Sequence, residues 1–487
     1  MNVDVAIVGG GISGLAAGYE LKKRGISFVI LERGARAGGV IFSEESDGFT
    51  IDAGPDALLT QKPDGIELCE ELGLSGRLTP TTPPRLAYVQ RGGRLHALPA
   101  GSVLGIPTRV APFIRSQLFS WQAKIRMAAE LFVPPTNDDI DESIAQFIGR
   151  RFGAEAVTYL AEPLLAGIHA GDVNRLSVRA LFPRFVDAEK QYGSLLRGFR
   201  RHASPERRVS SPESQITNSG SQPSTGAFMS LPGGLGEMVR ALVATLPPDA
   251  VRLNTEVSCL VSARGGRGFG VRTPSGTIDM RAVILATPAY VTADLVRNFD
   301  PELAQRCVEI PYTSVATVAL GFERAAIEHP LNGSGFVVPR VEQSGILASS
   351  WLSSKWPHRA PEHRVLLRTF IGGARDPDAL KGTDAELVDR SLRALTPLVG
   401  IRAAPIFARV YRFPRANAQH EVGHLARVEA IGRALARHPG VFVTGSGFRG
   451  TGIPDCIADG RATAKSIVAF LATLSKMEFT DSERQSL

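Results

Sequence analysis

The sequence predicts a mixed fold, α/β plus α+β, in which a domain with a parallel sheet is interrupted by a domain with a mixed sheet. The first observation is a strand, glycine turn, helix and strand at the N-terminus. The second is the return of two related segments, Ala282 to Tyr290 and Val441 to Leu471, after long excursions. The third is a run of short β-branched strands between Thr313 and Tyr411.

The N-terminal segment has the pattern of a nucleotide-binding βαβ unit. We expect a buried strand from Val3 to Val8, a helix from Leu15 to Arg24, and a second strand from Phe28 to Leu31 that leads into Glu32. Glu32 comes eighteen residues after Gly14, where an acid can accept both hydroxyls of an adenosine ribose. The segment predicts a Rossmann-type dinucleotide site, and a structural glycine-rich turn is the alternative.

Three glycines between strand and helix each have a mechanical task. Gly9 lets the chain turn sharply off the strand, and Gly11 has no side chain to keep a pyrophosphate from the backbone N–H groups. Gly14 lets the helix touch the strand. Together they predict a pyrophosphate site at the start of the helix.

The next residues favour FAD as the cofactor. In the continuation ERGARAGG, Arg33 and Arg36 precede a second glycine turn at Gly38 and Gly39, as in the flavoprotein form of the motif. Glu32 would repel the additional phosphate of NADP, and NAD stays open as the other alternative.

Composition excludes several classes of protein. A chain of 487 residues should divide into two or three domains. Its 44% hydrophobic and 21% charged residues are typical of a globular protein. The net charge of +7 suits an acidic small molecule, a phosphate-rich cofactor or an anionic membrane surface. No nucleic-acid-binding module is recognisable, so no nucleic acid partner is expected.

Cysteine spacing and the N-terminus indicate the compartment. Cys69, Cys259, Cys307 and Cys456 lie far apart with no ligand spacing, so we expect isolated thiols and no metal site. The first strand begins within two residues of Met1, which leaves no room for a signal peptide. We expect a cytoplasmic protein without a spanning helix.

One stretch of the chain contains no acidic residue. Between Glu71 and Glu130 every charged side chain is basic, and apolar residues such as Phe113 and Trp121 are interspersed. This pattern suggests an anionic contact, either an acidic substrate or a peripheral contact with the cytoplasmic face of a membrane. The basic residues are Arg77, Arg85, Arg91, Arg94, Arg109, Arg115, Lys124 and Arg126.

Five segments identify a family. The sequence resembles the oxygen-dependent protoporphyrinogen and coproporphyrinogen oxidases of haem biosynthesis, within the amine-oxidase-like flavoproteins. The resemblance covers nearly the whole chain except a Ser/Pro-rich loop. It is carried by IDAGPDALL, LHALPAGSVLGIPTRVAPF, EPLLAGIHAGDVNRLSV, SLPGGLGEM and TGSGFRGTGIPDCIADG.

The resemblance and the segment pattern together give a domain division. An FAD-binding domain is expected from residues 1–84, 227–295 and 430–475, and a substrate domain from 85–98 and 296–429. Residues 99–199 form a helical, membrane-binding-like insertion, and 200–226, rich in Ser, Pro and charge, form a flexible loop.

The resemblance also implies site residues. Arg85 would hold a substrate carboxylate, because a guanidinium fork fits a carboxylate bidentately, and a surface arginine is the alternative. The other implied substrate residues are Gly167, Gly335, Val337 and Phe370. The implied FAD residues are Gly9, Gly11, Gly14, Glu32, Arg33, Gly38, Gly39, Val40, Gly54, Pro55, Val257, Ser446, Thr451, Gly452 and Ile453.

The implied reaction is the six-electron oxidation of a porphyrinogen to the porphyrin, with FAD as oxidant and dioxygen as acceptor. No side chain is assigned a catalytic role; His169, beside Gly167, is the most suitable acid or base, and a packing role is its alternative. By the resemblance, Arg85 favours the protoporphyrinogen oxidases, whereas the GIPTR segment and Asp56 favour the coproporphyrinogen oxidases. The choice between the two substrates therefore stays open. An amine or carotenoid oxidase and a non-catalytic FAD-containing porphyrin carrier are the alternative functions, and other haem-pathway enzymes are candidate partners.

Overall fold

The computed structural model describes residues 3–99, 102–103, 106–107, 109–136, 140–203, 226–263 and 268–485. In chain order the strands are β1 Val3–Val8, β2 Phe28–Leu31, β3 Ser43–Ser46, β4 Phe49–Asp52, β5 Leu58–Leu59, β6 Thr79–Pro80, β7 Tyr88–Arg91, β8 Arg94–Ala97, β9 Ser102–Val103, β10 Ile106–Pro107, β11 Phe228–Ser230, β12 Val251–Arg252, β13 Cys259–Ser262, β14 Phe269–Thr273, β15 Gly276–Leu285, β16 Tyr312–Glu323, β17 Gly335–Val337, β18 Ala348–Trp351, β19 Arg364–Gly372, β20 Phe407–Ala418 and β21 Val441–Val443. The helices are α1 Ile12–Lys23, α2 Asp64–Glu71, α3 Val110–Arg115, α4 Trp121–Ala128, α5 Ile144–Phe152, α6 Ala154–Ala156, α7 Glu162–His169, α8 Val178–Leu181, α9 Pro183–Tyr192, α10 Leu195–Ala203, α11 Gly236–Thr245, α12 Ala289–Val296, α13 Pro301–Val308, α14 Leu352–Lys355, α15 Asp384–Val399, α16 His424–Leu435 and α17 Ile453–Gln485.

The first large sheet has the strand order β12-β2-β1-β15-β14-β13, with β21 beside the end of β15. Strands β12, β2, β1, β15 and β21 are parallel, and the β13–β14–β15 meander is antiparallel. Val5 and Ile7 face the core of α1, α11 and α17, whereas Ala6 and Val8 face that of α12, α13 and α16. Helices on both faces explain why β1 and β2 are almost continuously apolar.

The predicted βαβ unit is present, with one difference in the helix. Helix α1 begins at Ile12, three residues before the predicted start at Leu15, and it ends at Lys23. Gly11, extended at φ −71° and ψ 175°, is its N-cap, so the helix starts directly after the glycine turn. The N-terminus of α1 therefore lies at the carboxyl end of β1.

The second large sheet has the order β20-β16-β19-β18-β17-β7-β8 and is antiparallel except between β17 and β7. Helix α15 packs on one face through Leu387 and Leu395. The predicted sheet is confirmed, but the expectation of short strands is wrong, since β16 and β20 have 12 residues each. Pairing of β16 with β19 and β20 on both sides supports the longer strands.

Residues 109–203 form a predominantly helical region with its own apolar core, as the sequence predicts. Arg151 is completely buried and forms ion pairs with Glu130 and Glu189. Helix α10 extends to Ala203, so residues 200–203 are not loop as predicted; upstream, Leu195, Leu196 and Phe199 pack in the core and hold the helix. Residues 204–225 of the predicted loop lie outside the described residues.

Within the described residues, no helix is both long and apolar enough to cross a bilayer.

Candidate active site

The first glycine turn has no room for side chains on one side and is open on the other. A Cβ on Gly14 would lie 2.1 Å from the Gly9 carbonyl oxygen, and one on Gly9 would lie 2.5 Å from the Ala286 oxygen. Gly9 also has φ +107°, which favours glycine. A Cβ on Gly11 would meet no atom within 4 Å. Gly9 and Gly14 thus serve packing, and Gly11 faces the space available to a ligand.

Glu32 is fixed at the end of β2 by two backbone donors. Its Oε2 accepts the Gly10 N–H at 2.8 Å, and its Oε1 accepts the Gly34 N–H at 2.7 Å. Each carboxylate oxygen keeps a further lone pair for a ribose hydroxyl. The carbonyl oxygen of Glu32 accepts the Thr255 N–H at 2.8 Å, which places the segment containing buried Val257 beside it.

The second glycine turn packs on the first. The Gly38 N–H donates to the Gly10 carbonyl oxygen at 2.7 Å. Gly39 has φ +59°, and a Cβ on it would lie 3.3 Å from the Gly11 Cα. The guanidinium of Arg36 donates to the carbonyl oxygens of Gly39 at 2.7 Å and of Ile41 at 3.1 Å. Arg36 therefore holds this turn, and both Arg36 and Arg33, the arginine assigned to FAD by the resemblance, are exposed.

Residues 40–55 continue the same wall. Val40 is 43% exposed, and a Cβ on Gly54 would lie 2.1 Å from the Val40 carbonyl oxygen. Phe413 of β20 lies 3.8 Å from the same Cβ position. Gly54 and Pro55 thus lie where the nucleotide-binding segment meets the second sheet.

The C-terminal glycine loop reaches the start of α1. A Cβ on Gly460 would lie 2.3 Å from the Ser13 carbonyl oxygen, so α17 and α1 are in close contact near their N-termini. Asp459 Oδ2 accepts the Thr444 hydroxyl at 2.6 Å and the Gly445 N–H at 3.2 Å. These bonds fix the loop that carries Ser446 and leads to Thr451, Gly452 and Ile453.

The residues present fit a dinucleotide with a flavin ring. Two helix N-termini, of α1 and α17, supply partial positive charge for a pyrophosphate. The carboxylate of Glu32 lies at the end of β2 for a ribose. Close glycine packing brings segments from both ends of the chain together around the open position at Gly11.

Four of the five predicted substrate residues come together on another wall. A Cβ on Gly167 would lie 3.3 Å from Val337 Cγ1, and Val337 pairs with Ala348, which in turn pairs with Phe370. Gly335, at φ +132°, precedes them on β17, where a Cβ would lie 2.0 Å from the Ser349 carbonyl oxygen. The wall is apolar and lies at the junction of α7 with the second sheet.

Arg85 lies apart from that wall on the loop before β7. Its Nε donates to the carbonyl and hydroxyl oxygens of Thr81, both at 3.1 Å, and the residue is exposed. The neighbouring Leu86 accepts the Ser334 N–H at 2.7 Å, next to Gly335. Arg85 is therefore at the edge of the region that contains the wall.

A buried charged cluster joins the two walls and was missed in the sequence. Arg368, 1% exposed, donates to the Gly54 oxygen and to Asp56 Oδ1, both at 2.6 Å, and its guanidinium lies 4.7 Å from the centroid of the Phe370 ring. Asp56 Oδ2 accepts hydrogen bonds from Lys355 Nζ at 2.7 Å and from Trp356 Nε1 at 2.8 Å.

Burial alone would raise the pKa of the Asp56 carboxyl, but the charges of Lys355 and Arg368 hold it well below its usual range. Asp56 is therefore ionised, and the cluster links the segment at Gly54 to the wall at Phe370. An arginine inside the apolar run of β19 was the sequence signal that could have identified it.

His169 lies at the end of α7 in a half-buried position. Burial, with smaller contributions from the nearby His420 and Lys62, lowers its pKa to about 4. Lys62 forms an ion pair with Asp455 in the first turn of α17, with an N–O distance of 2.6 Å. At neutral pH His169 is therefore uncharged and a weak base.

Residues 12–468 match the flavin-containing amine oxidoreductase family, and the chain belongs to this family. The protein is accordingly an FAD-dependent oxidoreductase.

Relatives place the chain among the porphyrinogen oxidases of that family. It is 34% identical to the coproporphyrinogen III oxidase of Bacillus subtilis, over 96% of this chain and 98% of the relative. It is 28% identical to the mitochondrial protoporphyrinogen oxidase of Nicotiana tabacum, over 99% of this chain and 97% of the relative. A crystal structure from Exiguobacterium sp. 255-15, described as a candidate protoporphyrinogen oxidase, superposes with a TM-score of 0.83 at 30% identity, covering 96% of this chain and 98% of the other.

More distant structures share the fold. Cyclohexylamine oxidase from Brevibacterium oxydans superposes with a TM-score of 0.70 at 17% identity, over 97% of this chain and all of the other.

We predict that Glu32→Gln weakens FAD binding at least tenfold, since the amide turns a donor toward the N–H groups of Gly10 and Gly34, a loss of about 1.4 kcal/mol or more. Titration of the apoprotein with FAD, followed by flavin fluorescence, measures the dissociation constant. The control Glu45→Gln makes the same charge change on the exposed surface of β3 and should leave it unchanged. Equal constants for the two variants would contradict the role of Glu32.

We further predict that the free energy of unfolding decreases as the pH falls below about 6.5. Burial lowers the pKa of His424 to about 3, so the unfolded chain binds a proton that the folded chain does not. His424→Phe should flatten the pH dependence by about 1.4 kcal/mol per pH unit between roughly pH 6 and 4. Urea unfolding at a series of pH values measures this slope, and His363→Gln, at a side chain 85% exposed, is the control. A slope unchanged in His424→Phe would contradict the prediction.

Proposed function

We propose that the chain is an oxygen-dependent porphyrinogen oxidase of haem biosynthesis that oxidises coproporphyrinogen III, protoporphyrinogen IX or both. The observation that carries the proposal is the Arg368 cluster, which joins the candidate flavin segment at Gly54 to the apolar wall at Phe370. A flat macrocycle between them would face both. The identity of 32–34% to coproporphyrinogen III oxidases is greater than the 27–29% to plant protoporphyrinogen oxidases, which supports coproporphyrinogen as the preferred substrate.

In this proposal the segments 1–84, 227–295 and 430–475 form the FAD domain, and 85–98 with 296–429 form the substrate domain. When bound, FAD would supply the oxidant: in each of three turnovers a meso carbon would lose a hydride, which carries two electrons, a pyrrole nitrogen would lose a proton, and dioxygen would take up the two electrons and two protons to give hydrogen peroxide. The residues that would hold it are the glycines of both turns, Glu32 and the loop at Ser446 to Ile453.

The apolar wall would orient the macrocycle and exclude water. Gly167 packs on Val337 and Gly335 packs on the Ser349 backbone, which brings α7 and the strands of the wall together. Val337 and Phe370 would then pack on the ring. The pyrroles stabilise the cation left by hydride loss, so little acid or base assistance is needed. A pKa near 4 keeps His169 neutral and makes it a weak base at neutral pH, so no proton transfer is assigned to it.

The substrate carboxylates would be held by basic groups. Arg85 offers a guanidinium fork at the edge of the region with the wall. Charge complementarity over the acid-free stretch would attract the anionic substrate from solution.

We also propose a cytoplasmic protein that contacts an anionic membrane surface peripherally, where other haem-pathway enzymes could receive the product. The acid-free stretch presents exposed apolar side chains next to exposed Arg109 and Arg115. Such a combination favours the interface of an anionic bilayer. The exposed side chains are Val110 at 57%, Ile114 at 47%, Trp121 at 64% and Ile125 at 69%, and Phe132, just after the stretch, is 84% exposed.

The holoenzyme should convert both porphyrinogens to fluorescent porphyrins in air, with a higher kcat/KM for coproporphyrinogen III. Parallel measurements of porphyrin fluorescence and hydrogen peroxide test this. A kcat/KM ratio near one would remove the preference. No fluorescence increase with either substrate would favour an amine or carotenoid oxidase, and failure of anaerobic substrate to bleach the flavin would indicate a carrier.

Arg85→Ala should raise KM for coproporphyrinogen at least about tenfold while kcat changes less than about threefold, because a charged hydrogen bond to a carboxylate is lost. Arg85→Lys should recover only part of the loss. Steady-state kinetics measure both, with Arg94→Ala on the exposed face of β8 as the charge control. If Arg85→Ala and Arg94→Ala have the same KM, Arg85 does not hold substrate.

The protein should co-sediment with vesicles containing phosphatidylglycerol at low salt and be released as salt rises. Replacing Trp121 and Ile125 together by Ser should reduce the bound fraction several-fold, because both side chains are exposed on α4. Val308→Ser, 52% exposed on α13, is the matched control. Absence of co-sedimentation at low salt would exclude the membrane contact.

A further inference from the structure

A short segment after β20 contacts several parts of the candidate site. Gln419 and His420 are adjacent, and each residue is only 2% exposed. Gln419 Nε2 donates to the His169 carbonyl oxygen at 2.9 Å and to Thr313 Oγ1 at 3.1 Å. His420 Nε2 lies 2.8 Å from the Ser446 carbonyl oxygen. Two consecutive side chains thus reach the end of α7 and the C-terminal glycine loop.

The contact with Ser446 defines the state of the His420 ring. A carbonyl oxygen accepts only, so Nε2 carries the proton and donates. Burial lowers the pKa of His420, and the ring is therefore neutral at physiological pH. His420 also stacks on His424, with centroids 3.8 Å apart and an interplanar angle of 11°. The stack leaves the His420 ring one orientation in which it donates to Ser446.

The backbone of the segment is fixed as well. The His420 carbonyl oxygen accepts the Ser177 N–H at 2.8 Å, and the Gly423 N–H donates to Asp141 Oδ2 at 2.9 Å. Both partners belong to the helical region. The segment is thus held from the side opposite to the glycine loop.

The glycine loop has two anchors on different sides. Asp459 holds its start through Thr444 and Gly445, as described above, and His420 holds the Ser446 carbonyl. Removal of the His420 donor would leave the Ser446 peptide without this anchor. The loop could then rotate its N–H and C=O groups relative to a bound ring.

We infer that Gln419 and His420 are positioning residues, which together set the spacing between the glycine loop that contacts FAD and the turn at His169 that borders the substrate. His420 acts through the Ser446 peptide and Gln419 through the His169 peptide. The Gln419 part rests on the proposed function, because it concerns the substrate, whereas the His420 part concerns FAD alone.

The experiment compares His420→Leu, which removes the donor and the ring, with His420→Gln, which keeps an N–H donor at similar reach. His420→Leu should raise the FAD dissociation constant about tenfold and shift the visible absorption of the bound flavin. His420→Gln should stay within about threefold of the wild type. Circular dichroism and thermal unfolding monitor the fold of each variant.

Gln419→Leu should leave the FAD dissociation constant unchanged and raise KM for coproporphyrinogen about tenfold. Two controls separate local from general effects. His424→Phe keeps an aromatic face on His420 and should preserve the flavin absorption. His438→Gln removes a histidine that bonds Asp300 on the other face of the first sheet and should change neither constant.

Wild-type FAD affinity and absorption in His420→Leu would overturn the role of His420, as would equal losses in His420→Leu and His420→Gln. An unchanged KM in Gln419→Leu would overturn the role of Gln419. A wild-type protein that binds FAD but does not oxidise a porphyrinogen overturns the proposed function and the Gln419 part with it. The FAD titrations decide the His420 part in every case.

Discussion

The buried guanidinium of Arg368 is the interaction that connects the two halves of the candidate site. A charge inside a protein is costly unless it is paired with an opposite charge and hydrogen-bonded. Arg368 is paired with Asp56 and also donates to the backbone oxygens of Asp52 and Gly54. Because an uncompensated charge at this position would be strongly destabilising, the nucleotide-binding segment and the second sheet keep one relative arrangement. The candidate flavin segment at Gly54 and the apolar wall at Phe370 are therefore fixed relative to each other.

Glycine backbone provides the other constraint. Contacts of 2.1 to 2.5 Å between hypothetical Cβ atoms and neighbouring backbone oxygens at Gly9, Gly14, Gly54 and Gly460 exclude larger side chains there. These positions come from both ends of the chain. The candidate FAD site therefore depends on the packing of α17 against α1. FAD binding and the association of the two chain ends should stabilise each other.

The sequence predicts the local parts of this design well. The strands β1 and β2, the three glycines and Glu32 are adjacent in the chain, and their spacing alone defines the βαβ unit. Gly167, Val337 and Phe370 are distant in sequence, and only the resemblance suggested them as neighbours. The arginine in the apolar run of β19 is a sequence signal for Arg368, but the pattern does not indicate its partner Asp56, 312 residues away. Nor does it indicate that His420 contacts Ser446, 26 residues away. Strand length was misjudged for β16, since pairing on both sides extends it.

The separation of backbone and side-chain tasks explains how one fold accommodates different oxidations. The candidate cofactor site is built around closely packed glycine backbone, which tolerates little change, whereas the apolar wall is made of residues on α7, β17 and β19. Amine oxidases at 17% identity retain the same fold. Substitutions in the apolar wall can therefore change the substrate while the candidate cofactor site is unchanged. What must stay constant is the spacing between them, and this spacing is set by buried polar residues outside both surfaces, Arg368 on one side and the Gln419–His420 pair on the other.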